Sequence, residues 1–370
     1  MKIEKELYPA DRLIGMTLKD GWTVTSKIGE NSIAHSKITS CYIVQKKKEN
    51  GFLKAFDYRD LKKHGGHEKF RYVDQKIKRE IDLLKKCNHS NIKNVVSLLV
   101  EDEIFLKEGD INEKVMYYIL EYSLEGNIET CLQNDNLINL TQRFYSLSHV
   151  FDGIYNLHKN EIYHLDIKTN NLIYFREGTI TKIADFGSAR QFLTDLDEDV
   201  KQDIDNIFTT RQCAPPEYLY FETFDNWSEG RRKMDLYLLG NVIVKFFTNV
   251  TFTSMLKNEI SSIYDWNTQS NHGNFRVILP YLTEGYITAV IKVQEILLEI
   301  NHKCGNPLTQ IDVNKIISII KELCHPDPLK RGIKKAIAQS RDYDGLDRYR
   351  DMFVTLAKKS EYRLNKPFKF

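Results

Sequence analysis

The sequence predicts an α+β chain of two unequal lobes: a small β-rich lobe with one key helix, then a larger, mainly helical lobe. Three observations carry this. β-branched and aromatic runs crowd the first third of the 370 residues. A single helix-period stripe interrupts them. After Gly126 the apolar spacing becomes helical and stays so, apart from two short strand-like runs.

The elements follow in order. Trp22–Ile28 and Cys41–Gln45 read as strands, and Phe52–Tyr58 follows Glu49-Asn50-Gly51, where Asn-Gly signals a hairpin turn. Lys46-Lys47-Lys48 reads as a solvated turn. A helix is expected from about Phe70 to Cys87, with Val73, Ile77, Ile81 and Leu84 as its buried face. Strands are expected again at Val95–Leu99 and Val115–Tyr122. The joint falls near Glu121–Gly126, and a cleft between two lobes is a common place for a ligand. Beyond it, Phe144, Leu147, Phe151, Ile154 and Leu157 form one helical stripe. Short strands are expected at Leu172–Tyr174 and Thr181–Ala184, and helices near Asp235–Phe247, Ile287–Ile300 and Val313–Leu323. The apolar face of Ile287–Ile300 reads as core.

Composition narrows the function classes. A net charge of +2 makes no case for a nucleic-acid partner. No apolar run approaches the roughly 20 residues of a membrane helix, and Met1–Arg12 lacks the apolar stretch of a signal peptide. The six cysteines include no C-x-x-C pair, so neither a disulfide framework nor a zinc site is suggested, and a cytoplasmic location is the plain expectation. His64 and His67 lack a third ligand nearby, which argues against a metal.

The chemistry concentrates in His164-Leu165-Asp166-Ile167-Lys168-Thr169-Asn170-Asn171. Asp, Lys and Asn at this spacing can meet in one loop. That set suits phosphoryl transfer: Asp166 orients or accepts a hydroxyl proton, Lys168 neutralises phosphate charge, and Asn171 offers a metal ligand. Asp185-Phe186-Gly187 follows at a strand end and supplies a second carboxylate for magnesium, which prefers a few hard oxygens. Taken singly, Asp166 and Asp185 would read as loop-capping residues and Lys54 as a surface lysine. Their combination is the signal.

H-x-D-x-K-x-x-N followed by D-F-G resembles the catalytic core of eukaryotic-type Ser/Thr protein kinases. Other parts of that family's pattern occur in order. Lys54 resembles the strand lysine that holds ATP phosphates, and Glu80 its helix partner. Pro215-Pro216-Glu217 resembles the end of the activation segment. Asp235 resembles the helix aspartate bracing the catalytic loop, and Arg331 the arginine that pairs with the segment's glutamate. The resemblance spans about residues 20–340 and implies the bilobal protein kinase fold: an N-terminal extension at 1–20, an N-lobe at 21–122, a C-lobe at 123–345 and a C-terminal helical tail at 346–370. It implies ATP and Mg2+ as cofactors, a protein substrate with a Ser or Thr acceptor, and no membrane partner. Asp166, Lys168, Asn171 and Asp185 would be catalytic, with Asn171 and Asp185 on the metal. Gly29, Lys54, Glu80, Leu120, Glu121, Ser123 and Ile173 would hold the nucleotide, the adenine resting on the backbone of Glu121 and Ser123.

The chain also departs from the family. Of the glycine-rich loop only Gly29 remains in Gly29-Glu30-Asn31-Ser32-Ile33-Ala34, and Phe52 replaces the usual small residue facing adenine. Leu165 replaces an arginine that grips activation-segment phosphates, so activity is expected not to need phosphorylation at Thr209 or Thr210 beside the acidic Asp195–Asp199 run. About thirty extra residues, placed at 258–285, read as loop by their Gly, Asn and Ser content. The weak loop and Phe52 favour a pseudokinase acting as a binding or scaffold module. Retention of Lys54, Glu80, Asp166, Lys168, Asn171 and Asp185 favours an active enzyme. A small-molecule kinase of the aminoglycoside type would lack the Pro-Pro-Glu, Asp235 and Arg331 set.

Overall fold

A computed structural model describes residues 8–29, 38–59, 66–108, 111–133, 138–175, 179–191, 211–220, 222, 224, 226–261, 275–300, 308–338 and 342–365. The chain divides into two compact units, Met1–Asn91 with Val96–Leu124, and Ile92–Val95 with Glu125–Phe370.

The first unit is a five-stranded antiparallel sheet with one long helix. Its strands are β1 (Thr23–Ile28), β2 (Thr39–Lys46), β3 (Glu49–Asp57), β4 (Leu98–Glu108) and β5 (Ile111–Glu121), in the order β1-β2-β3-β5-β4. Strand alternation sends Tyr42, Val44, Leu53, Ala55, Tyr117 and Ile119 to one face, where Ala10, Leu13, Leu18 and Trp22 of the N-terminal segment close the core. Polar contacts pin that segment. The Ala10 amide donates to Asp57 Oδ2 at 3.0 Å, and Tyr42 Oη donates to the Ala10 carbonyl at 2.5 Å. Helix α1 (Gly66–His89) buries Ile77, Ile81 and Leu84, and Val73 is only half-buried.

The second unit is mainly helical. Its longer helices are α3 (Leu140–Lys159), α5 (Trp227–Thr248), α6 (Phe252–Ile260), α7 (Phe275–Ile300), α8 (Gln310–Leu323) and α10 (Leu346–Asn365). The shorter ones are α2 (Ile128–Gln133), α4 (Pro216–Leu219) and α9 (Lys334–Ala338). Two small strand pairs complete it: β6 (Ile162–Tyr163) with β9 (Arg190–Gln191), and β7 (Leu172–Phe175) with β8 (Ile180–Ile183). Helix α3 starts at a capping box in which Asn139 and Gln142 satisfy each other's backbone amides. Its five-residue apolar stripe is fully buried. Helix α10 covers part of α3: the Phe151 ring lies 5.7 Å from Tyr349 and 5.3 Å from Phe353, and Thr141 and Ser360 hydroxyls meet at 2.7 Å. No single helix among the described residues is long and apolar enough to cross a membrane.

Four expectations need correction. The β2–β3 turn is Lys47-Lys48, with Lys47 at φ 55°, and not Asn50-Gly51. Gly51 instead pairs with Val44 inside the ladder, and a Cβ there would lie 2.7 Å from Ile119 Cγ2 and 2.9 Å from Val44 Cγ2. The glycine serves close packing, and the turn follows from the register that buries Tyr42 and Val44. Val95 does not open β4. It bridges Ile183 in the second unit, and β4 starts at Leu98. The supposed loop at 258–285 is helical at both described ends, in α6 and α7, while 262–274 lies outside the described residues. Finally, α7 is apolar on two faces: Ala289, Val290, Val293 and Leu297 are core, but Ile287 and Ile291 are exposed. The His64 reading and the Asn31–Ala34, Asp195–Asp199, Thr209 and Thr210 readings also fall outside the described residues.

Candidate active site

In the first unit, β3 places Lys54 on the face opposite Leu53 and Ala55, directly across from Tyr118 of β5. Lys54 Nζ donates to Glu80 Oε1 at 3.0 Å and Oε2 at 3.3 Å. Tyr118 Oη donates to the same Oε1 at 2.7 Å, so the buried Glu80 carboxylate is well supplied with donors. The ammonium also lies 5.6 Å from the Phe56 ring and 5.7 Å from the Tyr118 ring. Phe52 pairs with Leu120 in the same ladder. Leu120 and Ser123 are buried, and Glu121 is tied to Ser97 through both its amide (3.1 Å) and its Oε1 (2.6 Å). Gly29 takes φ 85°, a value suited to glycine.

In the second unit, the loop before β7 gathers the remaining candidates. Lys168 Nζ donates to Asp166 Oδ2 at 2.7 Å. Asn171 Nδ2 donates to the Asp166 carbonyl at 2.8 Å and to Oδ2 at 3.1 Å. Asp166 Oδ1 is buried without a hydrogen-bond partner among the described residues. A buried carboxylate oxygen left bare is costly and marks a place where another donor belongs. Hairpin register brings Asn171 to the D-F-G segment: Leu172 pairs with Ile183, and the Ala184 amide donates to the Asn171 carbonyl at 2.8 Å. The following residue, Asp185, is left-handed at φ 63°. Ile173 lies on β7, bridged to Asn127 and opposite Lys182.

Asp235, on α5, holds this loop from beneath. Its Oδ2 accepts from the His164 amide and Oδ1 from the Leu165 amide, at 2.9 and 2.8 Å, and His158 Nε2 lies 2.9 Å from Oδ2. Leu165 is fully buried at φ 64°. A left-handed leucine costs about 1–2 kcal/mol, and the paired amide contacts offset it. His164 Nδ1 accepts from the Asp166 amide at 3.3 Å, so its Nε2 donates to the Ala184 carbonyl at 3.1 Å. Arg331 donates to both Glu217 oxygens, at 2.5 and 2.6 Å, behind the Pro-Pro-Glu segment.

Sequence reasoning missed two contributors. Tyr118 shares the strand face of Leu120 by its period of two, a signal that was available. The second is Thr169, whose hydroxyl donates to Glu129 Oε2 while Lys245 Nζ sits 3.1 Å from Oε1. Thr169, Glu129 and Lys245 are far apart in sequence, and nothing local announces that they meet.

The donor set fits magnesium and nucleotide phosphates. Asn171 spends its amide hydrogens on Asp166, which leaves Oδ1 as a hard oxygen, and Asp185 adds a carboxylate one residue beyond Ala184. In comparison with known proteins, residues 25–341 match the family described as the protein kinase domain. The chain belongs to the protein kinase family. Similar proteins include the CTD kinase subunit alpha of Saccharomyces cerevisiae, 24% identical over 88% of this chain and 63% of that protein. Cyclin-dependent kinase C-3 of Oryza sativa subsp. japonica is 31% identical over 42% of this chain and 48% of its own length. SNF1-activating kinase 1 of Saccharomyces cerevisiae is 28% identical over 39% of this chain and 12% of its own length. The chain thus spans less than two thirds of each of these relatives.

Proposed function

We propose that this chain is an active protein kinase that transfers the γ-phosphoryl group of ATP to Ser or Thr of protein substrates. The observation that carries the reading is the Asp166 carboxylate, oriented through Oδ2 by Lys168 and Asn171 while its buried Oδ1 has no partner among the described residues. That arrangement suits a base or orienting group that takes the acceptor hydroxyl's hydrogen bond. Lys168 sits where it can offset charge on the transferring group. Lys54, held by Glu80 and Tyr118, serves the α- and β-phosphates. Asn171 and Asp185 hold magnesium, which when bound neutralises charge on the phosphate oxygens. By the family resemblance, the backbone of Glu121 and Ser123 would hold adenine, and Leu120 and Ile173 would offer it apolar contacts. Lys168 favours Ser/Thr over Tyr acceptors.

The retained polar groups favour an active enzyme over the pseudokinase reading. A scaffold has no use for a Lys54–Glu80 pair and a preset Asp166–Lys168–Asn171 cluster together. The test is transfer from radiolabelled ATP to generic protein substrates, with Asp185→Asn and Asp166→Asn controls and phosphoamino-acid analysis. Phosphoserine or phosphothreonine is expected, with transfer lower by a factor on the order of 100 or more in both variants. Nucleotide binding without transfer would establish the scaffold instead, and mainly phosphotyrosine would overturn the acceptor assignment.

A further inference from the structure

Asp344 lies beyond the residues matched to the protein kinase family, which end at 341. Its carboxylate is nevertheless buried in the second unit. Oδ1 accepts from Lys233 Nζ at 2.7 Å and Oδ2 from Arg232 Nε at 2.6 Å. The backbone is shaped to deliver it. Asp344 is left-handed at φ 61°, which Asp tolerates. Gly332, at φ 106°, leaves room where a Cβ would lie 2.7 Å from Asp344 Cβ, and the Ile333 amide donates to the Asp344 carbonyl at 3.0 Å.

Lys233 is a fully buried ammonium in the second turn of α5. A buried cation forfeits its hydration. Burial holds the Lys233 pKa below its ordinary value, a shift that the Asp344 carboxylate opposes. Lys233 also reaches the ion pair behind the Pro-Pro-Glu segment. Its Nζ donates to the Arg331 carbonyl at 2.9 Å, and Arg331 donates back to the Lys233 carbonyl at 3.1 Å. Arg331 then clamps Glu217. Two residues further along the same helix, Asp235 holds the amides of His164 and Leu165.

We propose that Asp344 is a positioning residue for the protein-substrate side of the reaction, acting through Lys233 and Arg331 on the Glu217 segment. This rests on the kinase reading above. Asp344 supplies the counter-charge that lets Lys233 stay buried and charged. Charged Lys233 keeps the Arg331 backbone, and so its guanidinium, in register with Glu217. The Glu217 segment is thereby held by a residue outside the matched domain.

The test uses the full chain and its Asp344→Asn, Lys233→Met and doubly substituted variants. Asparagine keeps the left-handed backbone and removes only the charge. Steady-state transfer from ATP to dephosphorylated casein is measured beside ATP hydrolysis without casein, with hydrogen exchange of amides in 213–220. Asp344→Asn is expected to lower kcat/KM for casein about fivefold or more, while KM for ATP and casein-free hydrolysis stay within about twofold. Exchange in 213–220 is expected to quicken about tenfold, and the double variant to be no worse than Lys233→Met alone. Casein kinetics unchanged from wild type would overturn the proposal. So would equal losses in transfer and hydrolysis with exchange altered only in 342–365, since Asp344 would then merely fasten the C-terminal segment. A wild type lacking transfer would bring down the kinase reading. Exchange would still decide the linkage in that case, because unaltered protection in 213–220 would refute it.

Discussion

At the scale of single residues, the second unit buries several charged side chains, each with a partner to hold it. Arg331 is fully buried, lies 4.6 Å from the Tyr237 ring, and divides its donors among Glu217, His325, Lys233 and Pro326. A buried pair of this kind adds modest net stability but is costly to break on one side. Glu217→Gln should therefore destabilise the unit by about 3–5 kcal/mol, the penalty for leaving the guanidinium without its counter-charge. Urea unfolding followed by tryptophan fluorescence would measure it. A loss under about 1 kcal/mol would mean that the carbonyl contacts alone satisfy Arg331. The sequence motif identified this pair. It did not reveal that Lys233 and Asp344 extend it, because neither residue belongs to the pattern that singled out Arg331.

At the scale of elements, two histidines mark where segments join. His149 of α3 lies 3.4 Å from the Thr181 amide of β8 through Nδ1, and His325, just after α8, accepts from the Asp327 amide at 3.0 Å, also through Nδ1. Both pKa values lie below the ordinary 6.5, chiefly through burial, with Lys330 and Arg331 also disfavouring charge on His325 and Asp152 and Asp327 opposing the shifts. Between the folded-state pKa and about 6.5 the unfolded chain binds more protons than the folded one. Stability from these two sites is thus complete above pH 6.5 and is lost as pH falls below it. The urea midpoint should drop between about pH 7.5 and 5.5, and a His149→Asn, His325→Asn double variant should drop less. An equal drop in the variant would assign the acid sensitivity to other groups. The β2–β3 hairpin shows how an element can be expected correctly while its turn is misplaced. Asn50-Gly51 is a strong local turn signal, but burial of the Val44–Gly51 pair against Ile119 decided the register.

At the scale of the whole molecule, each unit incorporates chain outside the matched domain. Ala10, Leu13, Leu18 and Trp22 lie before residue 25 yet complete the first unit's core. Leu346, Tyr349, Phe353 and Leu356 lie after residue 341 and are buried in the second unit, where α10 packs on α3. Each such side chain contributes about 1.5–3 kcal/mol on burial, so losing four from either unit is comparable with a typical domain's entire stability of about 5–15 kcal/mol. A chain cut to residues 25–341 should therefore fail to unfold cooperatively by circular dichroism. A cut chain that melted at the full-length temperature would show both flanking segments to be dispensable. By itself, the sequence determined the fold class, the helical stripes of α1, α3, α5 and α8, and the order of the Lys54, Asp166 and Asp185 motifs, because apolar period and motif spacing are local properties of a chain. Only the tertiary structure decided that the β2–β3 ladder turns at Lys47-Lys48 and runs on through Asn50-Gly51, that Thr169 meets Glu129, and that Asp344 reaches Lys233. These depend on which distant backbones approach within hydrogen-bond range, and packing, not local preference, sets that distance.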